Sequence, residues 1–131
     1  MKLLLDTHIW LWSVLEPHRL SPRVAGELTN PEHQLWLSAV SVWELQMLVH
    51  KKRVQLHEEI GAWVAKTLNM LQLNEAPLTI EVALAIPAVS LGHGDPADQI
   101  LTASAKVFGL TLVTADERLI KSKQIATMPN R

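Results

Sequence analysis

Lys2-Leu3-Leu4-Leu5-Asp6-Thr7 opens the chain with three leucines in a row that stop at a carboxylate. A run that is apolar at every position reads as a strand buried on both faces, the kind found in parallel sheets covered by helices. Such sheets place their ligand sites outside the carboxyl ends of the strands. Asp6 stands at that end of the first strand. An acid there is either a cap for the next helix or a charge placed at a site, and the test is whether other acids arrive at the same edge.

Working outward, the pattern alternates short apolar runs with helical segments. His8 to Leu15 is a short helix stopped by Pro17. Ser21-Pro22 starts a second helix that runs to about Leu28. Leu35 to Ser38 is a second strand, and Ser38 opens a helix to about His50, closed by Lys51-Lys52-Arg53. An amphipathic helix is expected from His57 to about Leu71, with Ile60, Trp63, Val64, Leu68 and Leu71 as its buried stripe and Glu58 and Glu59 in its first turn. Leu73 to Leu78 reads as an edge strand interrupted by Pro77. Thr79 caps a short helix that ends before Pro87, and Gly92-His93-Gly94 is a loop, with His93 read as a solvent-exposed residue. Asp95-Pro96 starts a helix to Phe108, stopped by Gly109. Leu110 to Thr114 is the clearest later strand, Asp116 begins a short helix, and Gln124 to Thr127 is a last short strand. Strands and helices in alternation predict an α/β fold with a mainly parallel sheet, and 131 residues predict one domain, 1–131.

Composition removes several function classes. No apolar stretch approaches the ~20 residues that span a bilayer, so no membrane partner is expected. Asp6 and His8 cut the first apolar run too short for a signal peptide. The chain has no cysteine, which excludes disulfides and thiolate metal sites and suits the cytosol. The formal net charge is −1, so any nucleic-acid contact must rest on a local patch, a metal or a partner rather than on bulk charge. No glycine-rich phosphate loop or serine nucleophile elbow is present. Five tryptophans against one phenylalanine and no tyrosine predict mostly core or interface positions, with an apolar patch left for another chain. The pattern does not choose between these for Trp10, Trp12 or Trp63.

Most of the 13 acids fall where solvated faces are expected. Five do not. Asp6 and Asp116 follow strands. Glu44 lies on a stripe with Val40, Met47 and Leu48, too deep in its helix to cap if Ser38 is the start; the competing reading is a capping box with Ser41. Asp95 and Asp98 surround a helix start, where capping accounts well for Asp95, while Asp98 shares its face with the inward Leu101, Thr102 and Ala105. If the sheet is parallel, Asp6, Glu44, Asp98 and Asp116 converge on one edge. Two carboxylates ~5 Å apart repel by about 3 kcal/mol at an effective dielectric near 20, so such a cluster takes up protons or binds a cation. All-oxygen ligands favour Mg²⁺ or Mn²⁺, and His8, His33, His50 and His57 show no spacing that completes a zinc set. Carboxylate-held Mg²⁺ points to phosphodiester chemistry.

Leu3-Leu4-Leu5-Asp6-Thr7-His8, Ser38-Ala39-Val40-Ser41-Val42-Trp43-Glu44, Asp95-Pro96-Ala97-Asp98-Gln99-Ile100-Leu101 and Leu112-Val113-Thr114-Ala115-Asp116 together resemble the PIN-domain proteins, in particular VapC-type toxins of type II toxin–antitoxin pairs. The resemblance covers essentially the whole chain. It implies a three-layer α/β/α fold and a Mg²⁺- or Mn²⁺-dependent endoribonuclease, cytoplasmic, homodimeric and held neutral by an antitoxin. It implies Asp6, Glu44, Asp98 and Asp116 as the catalytic quartet and, with Asp95, as metal ligands. Thr7 and Thr114 then match hydroxyl residues that orient carboxylates or waters, with Ser41 also in a supporting role. Ala97 and Gln99 depart from the pattern, in which an aromatic residue and an arginine often stand; Gln99 removes a charge that would contact RNA or a carboxylate. Arg118 is the first candidate for an RNA phosphate contact, and Lys51, Lys52 and Arg53 are read as a solvated helix end.

Three other readings were open on the residues. A phosphatase with Asp6 as nucleophile commonly needs a second acid two residues on, where His8 stands. A receiver-like phospho-acceptor module needs a lysine just beyond a late strand, where Ala115-Asp116 stands. A PIN-like interaction domain that does not cut would have no need of all four acids.

Overall fold

The computed structural model describes residues 1–89 and 94–131. Its elements alternate as the sequence pattern predicts: β1 (Lys2–Leu5), α1 (Thr7–Leu15), α2 (Pro22–Thr29), β2 (Gln34–Ser38), α3 (Ala39–His50), α4 (Ile60–Met70), β3 (Leu73–Ala76), α5 (Ile80–Ala85), α6 (Pro96–Phe108), β4 (Thr111–Thr114), α7 (Glu117–Ser122) and β5 (Thr127–Pro129). Pro17–Arg19 and Ile86–Ala88 form 3₁₀ turns. The predicted Gly92-His93 part of the loop lies outside the described residues.

All five strands pair in parallel, in the order β3-β2-β1-β4-β5. Leu3 stands beside Leu35 on one side and Thr111 on the other, and Leu5 stands beside Leu37 and Val113. Since side chains alternate along a strand, the three leucines feed both layers. Leu3 and Leu5 pack with Ile9, Trp10, Val24, Leu45 and Trp63 from α1 to α4. Leu4 packs with Leu101 and Ala105 of α6 and Leu119 of α7. All three leucines are fully buried, which is why the run admits no polar residue. The result is a helix–sheet–helix sandwich, with α5 stacked outside α6 through Val82 and Ala103.

The chain walks from β1 to β3 on one side and then returns to β4 on the other. The order therefore reverses between β1 and β4, and the crevice at their carboxyl ends is where open α/β sheets hold ligands.

The local signals mostly agree with this structure. Ser21, Ser38, Thr79 and Asp95 cap their helices through side-chain oxygens. Gly109 takes a left-handed conformation, φ 65°, after α6, where a side chain would be strained. Three boundaries differ. The amphipathic helix begins at Ile60 rather than His57, because the Glu59 carboxylate accepts the Gly61 and Ala62 N–H groups and acts as cap; Glu58 lies outside and pairs with Lys66. The edge strand stops at Ala76, before Pro77. The last strand lies at Thr127–Pro129 rather than 124–127, since its register is set by pairing with β4.

The tryptophans divide. Trp10 and Trp63 are core residues with ring centroids 5.3 Å apart, and the Trp10 indole N–H reaches Thr67 Oγ1 at 3.2 Å. Trp36 stacks on Phe108, Trp12 is half-buried and Trp43 is exposed.

Candidate active site

Four helix starts bring the five acids to the β1/β4 crevice. The Asp6 N–H still belongs to the sheet, donating to the Val113 carbonyl at 3.0 Å. One residue later α1 begins, and Asp6 Oδ1 accepts the Thr7 N–H at 2.7 Å. Asp116 caps α7 through the Arg118 N–H at 2.9 Å. Asp95 caps α6 through the Ala97 N–H at 3.0 Å, and Asp98, on the first turn, is buried. Glu44 comes from the second turn of α3, which begins where β2 ends. Asp6, Glu44, Asp95, Asp98 and Asp116 all line one pocket of about 420 Å³, together with Ala115, Arg118, His8, Trp12 and Arg19.

Two hydroxyl relays fix the Asp6 and Glu44 carboxylates. Thr114 Oγ1 donates to Asp6 Oδ2 at 2.6 Å and accepts the Asp116 N–H at 3.0 Å, so one buried side chain ties the two strand ends together. Thr7 Oγ1 lies 2.5 Å from Glu44 Oε1 and 2.8 Å from Ser41 Oγ. With a single proton, Thr7 donates to the carboxylate and accepts from Ser41. Ser41 is fully buried in this relay, and Ser38 is the helix cap, so the capping-box reading of Ser41 and Glu44 does not hold.

Burial dominates the electrostatics of Asp6 and Glu44. Burial raises the Asp6 carboxyl pKa, against the opposing hydrogen bonds from Thr114 and Thr7. Burial also raises that of Glu44, and the charges of Asp6, Asp95 and Asp98 add to the rise. Helix N-termini favour negative charge by typically 0.3–1 kcal/mol each, less than the ~3 kcal/mol by which one close carboxylate pair repels. The dipoles of α1, α3 and α6 therefore offset only part of the cost.

The Arg118 guanidinium supplies one internal cation. It donates to Asp116 Oδ1 at 3.2 Å and Oδ2 at 2.9 Å and lies 3.7 Å from Asp98 Oδ2. Among the described residues no three acid or histidine side chains already stand at ligating distances; the carboxylates line the pocket wall without closing on a point. The donor set nevertheless fits a hard divalent cation. It is all oxygen, and Asp6 and Glu44 have raised pKa values of the kind a bound cation lowers.

The structure thus brings together Asp6, Glu44, Asp95, Asp98, Asp116, their supports Thr7, Ser41 and Thr114, and Arg118. Lys51 and Lys52 are exposed, while Arg53 lines a second groove beside the pocket. Sequence reasoning missed His8, Trp12 and Arg19 at the pocket rim. The available signal was the i, i+4 spacing of His8 and Trp12 immediately after the first strand, which places both on one helix face at the site edge.

Residues 3–124 match the PIN domain family model. Ribonuclease VapC22 of Mycobacterium tuberculosis (strain ATCC 25618 / H37Rv) is 34% identical over 117 residues, covering 88% of each chain. Among solved structures, VapBC2 from Rickettsia felis bound to a DNA fragment from its promoter superposes with a TM-score of 0.74 at 17% identity, covering 98% of each chain. VapBC-5 of Mycobacterium tuberculosis, a member of the VapBC family of toxin–antitoxin systems, superposes at 0.62, with 17% identity and 98% of each chain covered. At these identities the structural matches establish the three-layer fold.

Proposed function

This chain belongs to the PIN-domain family, and from that premise we propose that it is a metal-dependent endoribonuclease, the toxin of a toxin–antitoxin pair. The observation that carries the reading is the gathering of Asp6, Glu44, Asp95, Asp98 and Asp116 in one crevice at the strand-order reversal. It is supported by a ribonuclease relative matched along 88% of both chains. In a chain of this fold, five carboxylates in a pocket repel an anionic backbone unless a cation intervenes.

Asp6, Glu44, Asp98 and Asp116, with Asp95, would hold Mg²⁺ or Mn²⁺. When bound there, the ion supplies positive charge that polarises a phosphodiester and acidifies an attacking water. The protein's own contribution is positioning. Thr114 fixes the Asp6 carboxylate and the Asp116 backbone in one geometry, and Thr7, held by Ser41, fixes Glu44. Arg118 offers its guanidinium to a phosphate oxygen when it leaves Asp116, as a fork matched to bidentate contact.

The expected partners are an RNA substrate, a cognate antitoxin and a second copy of this chain. Ile80 and Leu84, 81% and 76% exposed on one face of α5, support an apolar contact with another chain. Among the described residues no helix is long and apolar enough to cross a membrane, and the lack of cysteine supports a cytoplasmic location.

The test is cleavage of RNA with Mg²⁺ or Mn²⁺ by the wild type, Asp6→Asn and Asp98→Asn. Cleavage is expected from the wild type alone; equal activity in all three refutes the assignment.

A further inference from the structure

Beside the acidic crevice, Arg19 lies over Trp12, with its guanidinium carbon 4.4 Å from the ring centroid. The His8 ring stands 5.8 Å from Trp12 on the same helix. All three line the acid pocket, and all three also line the adjoining groove of about 250 Å³, whose other walls include Glu16, Leu48, Arg53 and Val54. The two cavities therefore share one wall, with the five clustered acids on one side and Arg53 on the other.

Arg19 is held in place from behind. Its carbonyl accepts the Asn130 side-chain N–H at 3.0 Å, and Asn130 Oδ1 accepts the Ser21 N–H at 2.7 Å. Its N–H donates to the Glu16 carbonyl at 2.9 Å. The guanidinium itself is lightly engaged: among the described residues its ion pair is to Glu16 at 3.5 Å and half exposed, a kind of contact that contributes little. The Arg19 side chain is 50% exposed, and a planar cation beside an indole is a group on which unpaired bases stack.

We propose that Arg19, seated over Trp12, is the stacking platform for an unpaired base of single-stranded RNA next to the phosphodiester in the acid crevice. Trp12 is the positioning residue, and Arg53 meets the backbone further along the groove. The proposal deepens the ribonuclease reading and rests on it for the identity of the ligand. Stacking selects single strands, because a base inside a duplex has no free face. It also places the recognition on two planar groups rather than on bulk charge, in keeping with a chain of net charge −1.

The test uses the full chain with Asp6→Asn, which removes cleavage, and fluorescence anisotropy of a short labelled single-stranded RNA of mixed sequence. Arg19→Lys keeps the charge and loses the plane. It is expected to weaken binding roughly tenfold, the scale of one stacked base, with the salt dependence unchanged. Trp12→Leu should weaken binding similarly, and a duplex of the same sequence should bind poorly to every form. RNA affinity that survives Arg19→Lys overturns the platform, because a point charge then suffices. Unchanged RNA affinity with loss of binding to a co-expressed partner protein overturns it in favour of protein docking. The outcomes separate from the nuclease reading: a wild type that cuts no RNA but binds it with this Arg19 dependence keeps the platform and loses the nuclease.

Discussion

Thr114 donates its hydroxyl proton to Asp6 across 2.6 Å, joining residues 108 positions apart in the chain. Both are buried, and they end neighbouring strands at the point where the sheet order reverses. The same oxygen accepts the Asp116 N–H, so a single hydroxyl sets the spacing of two acids. Thr114→Val keeps the shape and removes both bonds. Leaving buried polar groups unpaired costs ~1–3 kcal/mol, and loss of a group that orients ligands typically costs about 10–100-fold in metal affinity or activity. Urea unfolding and RNA cleavage should show both losses, while Thr114→Ser should restore most of each.

Asp6 makes metal-free stability fall with rising pH. Burial raises its folded pKa above the ordinary carboxylate value, so between the unfolded value, about 4, and the raised folded one the native state holds a proton that the unfolded chain has released. Stability is then fully present below the unfolded pKa and is lost as pH rises through the folded pKa. Glu44 acts in the same direction. Thermal melts in EDTA should give a lower Tm at pH 8 than at about pH 5. Asp6→Asn should flatten that slope and melt higher than the wild type at pH 8, while cutting no RNA.

Divalent cations should reverse the trend. An ion that binds only the folded state stabilises it by mass action, so Mn²⁺ should raise the Tm of the wild type at pH 8 and leave Asp6→Asn nearly unmoved. A wild-type Tm indifferent to Mn²⁺ at millimolar levels would count against the metal site.

If the acid cluster holds that ion, Arg118 would compete with it for the same carboxylates, through its bonds to Asp116 and its approach to Asp98. Arg118→Ala should therefore lower the Mn²⁺ concentration for half-saturation several-fold in a calorimetric titration. The same variant should raise KM for RNA, since a phosphate contact is gone. Opposite movements of the two constants distinguish a guanidinium shared between site and substrate from a purely structural ion pair.

The leucine run and its abrupt carboxylate carried most of the fold, because only a central parallel strand has two faces to bury. The gathering of the five acids was legible too, and capping does not compete with it. Helices α1, α3 and α7 begin at strand carboxyl ends and α6 begins beside the same crevice, so Asp6, Asp95 and Asp116 cap helices and line the crevice at once. What stayed hidden depended on side-chain contacts that residue pattern alone does not show. Glu59 looks like a first-turn acid until its oxygens are seen on Gly61 and Ala62. Arg19 looks like an ordinary surface cation, since nothing near it in sequence announces the Trp12 ring beneath it.

Thr7 offers the sharpest test of how the site is tuned. Its hydroxyl bond lowers the Glu44 pKa, opposing the burial and neighbouring charges that raise it. Thr7→Val removes that bond, so the Glu44 carboxyl should hold its proton to higher pH. Since a metal binds the ionised form, the pH midpoint of Mn²⁺ binding should move upward, and the rising limb of the pH–rate profile should move with it. Thr7→Ser keeps the hydroxyl and should leave both near the wild type. Ser41→Ala, which withdraws only the proton that Thr7 accepts, should fall between them. A Thr7→Val protein with the wild-type midpoint would mean that Glu44 does not reach the ion.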